Sequence, residues 1–326
     1  MRAVRRIIFP GVVSAVVAIV PGFAPAQQNF PAKPIRMVVP FTPGSATDLL
    51  ARTIGPKMAG TWGQQVVVDN RPGAGSTVGT ALVAKANPDG YTLLLNSSAF
   101  AGSAALYSKL PYDTVKDFAG VTLVAGNPLV LVVAPSLGVK TAKELIALVR
   151  SRPGKMNFAS SGIGSGTHYG NELFKLQAGL DAVHVPYRGT PETITDTVAG
   201  RVQYAMPPIL AVMPMVREGR LIALAVTTKQ RAPMLPDVPT LDESALPGFE
   251  YDGWFGVMAP SRTPPAIISK LNSEIVRIVG LPDVKERIAA MGGRPRHSTP
   301  TELDQLIRSE IDTRRKVFQA AGVKQY

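Results

Sequence analysis

The run from Asn157 to His168 constrains this chain more than any other segment. Residues 156–159 read as an extended strand, and they enter a loop of small residues: Ser160, Ser161, Gly162, Gly164, Ser165, Gly166 and Thr167. The amphipathic stretch 169–176 follows at once. A strand, a Gly/Ser loop and a helix start together point several backbone N–H groups outward. The helix N-terminus adds about half a positive charge there, so the site suits a carboxylate or a phosphate.

The arrangement is built more than once. Residues 35–39 read as a buried strand, and residues 40–48 turn into a helix over 49–58. Pro43 and Gly44 punctuate that turn, Ser45 and Ala46 follow, and Thr47 or Asp48 is the expected N-cap. A third turn spans 184–191, where Thr190 is expected to cap a helix that begins at Pro191. Strand-to-helix turns occur throughout α/β proteins, and one alone binds nothing in most of them. Two such turns from separate domains, facing each other, would form a cleft.

Residues 1–26 read as an address. Arg2, Arg5 and Arg6 precede the apolar stretch 7–23, and Ala24-Pro25-Ala26 fits an A-x-A cleavage site. Pro10 and Pro21 interrupt the apolar run, whereas a membrane anchor wants about 20 unbroken apolar residues. The expectation is a cleaved signal peptide, a mature chain starting near Gln27, and a periplasmic location. The remaining length predicts two domains. The chain has no cysteine, which removes disulfides, thiol catalysis and cysteine metal sites. Its formal charge is +12, with lysines and arginines scattered singly and aromatics at 6%. That pattern argues against a nucleic-acid partner and for a surface field that favours small anions.

Strands and helices alternate along the chain, with prolines at helix starts and glycines at helix ends. Further strands are expected at 66–69, 91–95, 121–124, 129–133, 202–205, 221–227 and 255–259. Helices are expected at 78–86, 141–151, 192–199, 264–279, 282–291 and 300–321. The expected fold class is α/β, with two doubly wound sheets and a ligand cleft between them. Crossovers are expected at 126–128 and 247–254. They divide the chain into a first domain, 27–127 plus 255–326, and a second, 128–254, which together make a two-hinge clamp. No internal repeat is evident.

Catalytic motifs fail one by one. A nucleophile elbow needs G-x-S-x-G, but Gly164 stands where the serine belongs. His168 beside Ser161 or Ser165 mimics a Ser-His pair, yet no orienting acid follows in a recognisable context. His168 and His184 lack metalloprotease spacing. Gly73, Gly75 and Gly79 miss the dinucleotide fingerprint by one residue, and no P-loop occurs. No catalytic residue, metal or cofactor is expected, and His168 is assigned to supporting the loop by hydrogen bonding.

Taken in order, the pieces resemble the substrate-binding proteins of tripartite tricarboxylate transporters, the Bordetella uptake gene (Bug) family. They are Val39-Pro40-Phe41-Thr42-Pro43-Gly44 with Asp48, Asp69-Asn70-Arg71-Pro72-Gly73-Ala74-Gly75, and Pro88-Asp89-Gly90-Tyr91-Thr92-Leu93. Leu110-Pro111-Tyr112-Asp113, Lys116-Asp117-Phe118, the Ser160–His168 loop, His184-Val185-Pro186-Tyr187-Arg188-Gly189, Pro247-Gly248-Phe249-Glu250 and Trp254 complete the set. The resemblance implies a type II periplasmic-binding-protein fold and a non-enzymatic, monomeric solute-binding protein. Such a protein would hold a small organic carboxylate, partly through bridging waters, and deliver it to two membrane permease subunits.

Carried over by position, Pro43, Gly44, Ser45 and Ala46 form the first ligand loop, and Asp48 and Ser97 are expected among the ligand-binding residues. Ser160 to Thr167 form the second loop, with His168 in support. Tyr187, Arg188, Gly189 and Thr190 close the far side, where Arg188 is either a bidentate carboxylate partner or a rim residue. The sequence departs from the family at Ser45, where a second glycine is common, and at Arg188, where lysine is common. Met206-Pro207-Pro208 replaces an acidic position, which implies a less polar distal pocket. A dicarboxylate or aromatic carboxylate is therefore expected in preference to an amino acid. The rival readings are an exported hydrolase using Ser161 and His168, and a ligand sensor for a signalling partner.

Overall fold

Two mixed sheets organise residues 30–326, the part of the chain described by the structure, a computed structural model. The expected signal peptide, 1–26, lies outside the described residues. In the first sheet β1 (Ile35–Val39) pairs in parallel with β2 (Val66–Asn70) and β3 (Thr92–Ser97). Then β10 (Asp252–Pro260) runs antiparallel between β3 and β4 (Phe118–Pro128), and the short β11 (Arg294–Pro295) edges β4. The second sheet contains β5 (Val130–Val133), β6 (Asn157–Ser160), β7 (Val183–Pro186), β8 (Tyr204–Ala205) and β9 (Ile222–Val226). Within it β6 is parallel to β7 and β8, while β5 is antiparallel to β8 and β9.

The chain passes between the sheets at Leu129 and returns near Tyr251. Buried Thr227 ties both passages: Leu129 N donates to its Oγ1 at 3.1 Å, and Tyr251 N donates to its carbonyl at 2.8 Å. Central strands are apolar on both faces because helices cover both sides. Met37, Val38 and Val39 are fully buried. Val38, Leu94, Phe100, Trp254 and Leu303 form one core of the first sheet, the last from α11 (Pro300–Ala320). Across the second sheet, Tyr204 and Met206 face a cluster with Phe158 and Phe174, while Ala205 faces another with Val130 and Ile209. Each large apolar side chain buried there contributes about 1.5–3 kcal/mol.

Several elements differ from the sequence expectation. Helix α1 (Ala46–Trp62) starts earlier than residue 49, because its N-cap is Ser45 and neither Thr47 nor Asp48. The helix α6 (Thr190–Val198) is capped by Gly189 with no side-chain bond, so Thr190 is its first residue rather than its cap. Three described helices had no legible signal: α3 (Ala99–Leu106), α7 (Ile209–Arg217) and the four-residue α8 (Leu241–Ser244). Seven of the eight α3 residues are buried, so no polar face marks a helical period. Strand β4 is longer than read because small residues such as Gly120 and Gly126 carry it past its apolar centre. No described helix is long and apolar enough to cross a membrane.

Candidate functional site

Two helix N-termini meet at one cleft. The first belongs to α1. Ser45 accepts from Asp48 N through its Oγ at 3.3 Å, and its carbonyl accepts the first helical bond, from Leu49 N, at 2.9 Å. The second belongs to α5 (Gly166–Gln177), where Ser165 Oγ accepts from His168 N at 3.1 Å and Ser165 O accepts from Tyr169 N at 3.0 Å. Ahead of those bonds, the N–H groups of Ala46 and Thr47, and of Gly166 and Thr167, have no intrahelical acceptor. Both turns need the left-handed region at the preceding glycine: φ is 79° at Gly44 and 75° at Gly164.

The match extends to the residue behind each cap. Gly44 N donates to Asp48 Oδ2 at 2.9 Å, and Gly164 N donates to His168 Nδ1 at 3.1 Å. Gly44-Ser45-Ala46-Thr47-Asp48 and Gly164-Ser165-Gly166-Thr167-His168 are thus one conformation written twice. The chain does contain a local repeat, too short to stand out before both copies are seen folded.

Ser45, Ala46, Thr47, Ser97, Ser161, Gly166, Thr167 and Thr190 line the cleft, with Phe41, Asn127, Pro208 and Phe255. No lysine, arginine or carboxylate is among them. Its donors are hydroxyls, an amide and backbone N–H groups, and two helix dipoles point into it. The interior is about 20 Å³, room for about one water. A larger pocket of about 270 Å³, lined by Pro128, Met234 and Pro295, holds neither helix N-terminus and is mostly apolar. Thr47, Asn127, Phe41, Pro208 and Phe255 were not among the expected ligand residues. Thr47 could have been found by its match to Thr167; the others reach the cleft only through the sheet arrangement.

The remaining expected residues sit around the cleft rather than on its wall. Asp48 is buried and accepts from Arg52 Nε at 3.0 Å, Asn70 Nδ2 at 3.0 Å and Gly44 N. Burial opposes its ionisation, but these bonds outweigh that and hold its carboxyl below the usual range. It braces the first loop, and the Gly44 N–H is spent on it. Pro43 and Gly44 shape the same turn. In the second loop Ser160 is fully buried, and its Oγ is 2.6 Å from His184 Nε2. Gly162 N donates to Ser160 Oγ at 3.2 Å, while Thr167 Oγ1 accepts from Ser161 N at 2.8 Å.

His168 is buried and stacks on His184, with centroids 4.0 Å apart. Since its Nδ1 accepts from Gly164, the ring proton sits on Nε2, which faces Glu172 Oε1 at 3.6 Å. Burial, above all, pushes both imidazoles down, His184 to about 2, so the pair is neutral. Neither nitrogen of His168 serves Ser161, whose Oγ pairs with Thr167 Oγ1 at 3.0 Å. The Ser161/His168 hydrolase reading therefore has no general base in this geometry.

On the far side, Tyr187 Oη donates to Asp196 Oδ2 at 2.7 Å and so turns from the cleft. Arg188 is exposed and is not among the residues lining the cleft. Gly189 brings its turn against the first loop, since a Cβ there would lie 2.5 Å from Thr42 Oγ1. Met206 is fully buried among Phe158 and Tyr204. The expectation that it lines a distal pocket is corrected: Met206, just after β8, packs into the core on the side of Tyr204, and Pro208 takes the wall.

The sequence and fold match known proteins along most of the chain. The profile described as tripartite tricarboxylate transporter family receptor (TctC) matches residues 50–323. The chain belongs to that family. Three solved structures resemble it closely. Rpa4515 of R. palustris with adipate superposes with a TM-score of 0.88 at 34% identity, covering 91% of this chain and 100% of that one. The periplasmic binding protein BugD gives 0.86 at 32%, covering 91% and 100%. MatC of Rhodopseudomonas palustris with bound malate gives 0.83 at 35%, covering 88% and 99%. The chain is a solute-binding protein of the TctC/Bug type with the α/β periplasmic-binding-protein fold.

Proposed function

We propose that this protein captures a small dicarboxylate in the periplasm and passes it to the membrane subunits of a tripartite tricarboxylate transporter. The supporting observation is the convergence of two serine-capped helix N-termini on one cleft without a charged side chain. Two N–H clusters match two carboxylates, one per loop, and the relatives with adipate and malate have that chemistry. A lone ammonium would find no acid on the wall, which disfavours amino acids. With the less polar pocket at Met206 gone, the case for an aromatic acid rests on Phe41 and Phe255 alone.

In this reading the domains are 27–127 plus 255–326, and 128–254. They part about the Leu129 and Tyr251 passages to admit ligand, because the closed cleft is too small for an adipate. Binding is non-enzymatic: hydrogen bonds form and break, and no group has to titrate. The signal peptide 1–26 exports the chain, which acts as a monomer.

The test is a thermal-shift panel of mono-, di- and tricarboxylates, aromatic acids and amino acids on the chain from Gln27 onward. A ligand at 100 times its Kd stabilises the native state by about 2.7 kcal/mol. A dicarboxylate shift, with the compound recovered unchanged, is the expected result. A flat panel, or turnover of the compound, would overturn the proposal.

A further inference from the structure

The second ligand loop leans on the first sheet's side of the molecule at two glycines. Residues 73–76, just before α2 (Thr77–Ala84), have positive φ at every position: 138°, 44°, 62° and 87°. Ala74 and Ser76 are not glycines, and L-residues avoid this region. The turn is held by Ser103 Oγ donating to Gly75 O at 3.0 Å and Thr80 Oγ1 donating to Ser76 O at 2.8 Å. Its tip meets the second loop: a Cβ on Gly75 would lie 1.9 Å from Ile163 O. A Cβ on Gly102, in the middle of α3, would lie 1.9 Å from Gly164 O. Gly102 has an ordinary helical backbone, where alanine is the better helix former. The glycine there is required by its neighbour and not by its own conformation.

We infer that Gly75 and Gly102 are positioning residues for ligand binding, forming a socket that seats the carbonyls of Ile163 and Gly164. Seated, those carbonyls point away from the cleft and the N–H groups of Gly166 and Thr167 point into it. The strained turn keeps Gly75 raised against the loop, and α3 supplies the second contact. The socket joins elements of the two sheets, so it is complete only when the cleft is closed. This inference rests on the solute-binding reading above and adds where closure is gated.

The variant that tests it is Gly102→Ala, with Gly60→Ala as control. Gly60 lies in α1 with nothing within 4 Å of its Cβ position. Each variant is titrated with adipate and malate by calorimetry, and its melting temperature is taken without ligand. Gly60→Ala is expected to raise the melting temperature and keep wild-type affinity. Gly102→Ala is expected to keep the melting temperature while binding at least tenfold more weakly. Wild-type affinity in Gly102→Ala overturns the socket alone. Failure of the wild-type protein to bind either acid counts against the functional reading and takes the socket with it.

Where Gly102→Ala lowers the melting temperature of the ligand-free protein, hydrogen exchange on the unaltered protein decides. The amides of Gly75 and Ser76 are then expected to gain protection on binding together with those of Gly164 and Ser165. Protection confined to the loop amides overturns the inference.

Discussion

The two cleft loops share a backbone and differ in what supports it. Both place a left-handed glycine, a serine cap and a threonine ahead of a helix, and both return the glycine N–H to a side chain four residues on. Behind the first loop that acceptor is a carboxylate, tied to Arg52, whose side chain is 52% exposed. Behind the second it is a neutral imidazole in a stack of His168, His184, Phe158 and Phe318. A carboxylate tolerates burial only with strong donors at hand, and Arg52, Asn70 and Gly44 supply them. In the second loop Lys175 is engaged with Glu172, and Arg314 with Glu310 and Tyr251, so an uncharged acceptor is the cheaper solution. The geometry that presents N–H groups to an anion is thus independent of the chemistry behind it.

The largest effect should come from removing the charged brace. Asp48→Ala strands the Gly44 N–H and the Asn70 amide, and is expected to cost about 2–3 kcal/mol in a urea unfolding series. It should weaken carboxylate binding through the first loop, whereas Asp48→Asn, which keeps an acceptor, should lose less. Equal losses in the two would show that charge rather than acceptance matters.

Acid should separate the loops next. Unfolded histidine takes a proton below about pH 6.5, but folded His184 stays neutral until about 2. The unfolded state then binds more protons, so stability falls as pH drops through that window. The slope is at most about 1.4 kcal/mol per pH unit for each such histidine. Asp48 is depressed in the folded state, so its contribution persists until about pH 4 and is lost only below it. Hydrogen exchange at pH 7 and pH 5 should show Gly164 N–H losing protection while Gly44 N–H keeps it. Simultaneous loss would break the comparison.

The caps should give a smaller difference. Ser45→Ala and Ser165→Ala each remove an N-cap worth about 1 kcal/mol. Ser165→Ala should cost more, because Ser165 Oγ also pairs with Thr167 Oγ1 at 2.9 Å. Urea midpoints for the two variants check the order. Arg188→Ala should do least. At an exposed position off the cleft wall, it should shift stability by no more than about 0.5 kcal/mol and change affinity less than threefold. A larger loss of affinity by calorimetry would return Arg188 to direct contact with ligand.

Much of this was legible in the chain. The strand–loop–helix turns, their glycines and the approximate helix positions follow from local rules that act over a few residues. Thr141 before α4 (Ala142–Arg150) and Pro282 opening α10 (Pro282–Ala290) sit where capping chemistry puts them. What failed were elements whose signal is not local. Helix α3 is buried along nearly its whole length, and the cap of α1 was misplaced by two or three residues among three capable ones, Ser45, Thr47 and Asp48. Met206 was read as a pocket residue by its place in the family pattern, and that pattern carries no information on its packing among Phe158 and Tyr204.

By itself, then, the sequence determined that this chain makes an α/β fold with anion-suited turns at the ends of strands. Glycine, proline and serine restrict the backbone wherever they occur, so those turns needed no partner to be predicted. Only the tertiary structure decided that the turns after β1 and β6 face one cleft, that Asp48 and His168 each accept the N–H of the glycine four residues back, and that a Cβ on Gly102 would meet Gly164 O. Those facts depend on which atoms lie close across the two sheets, and a linear pattern of side chains does not encode that distance.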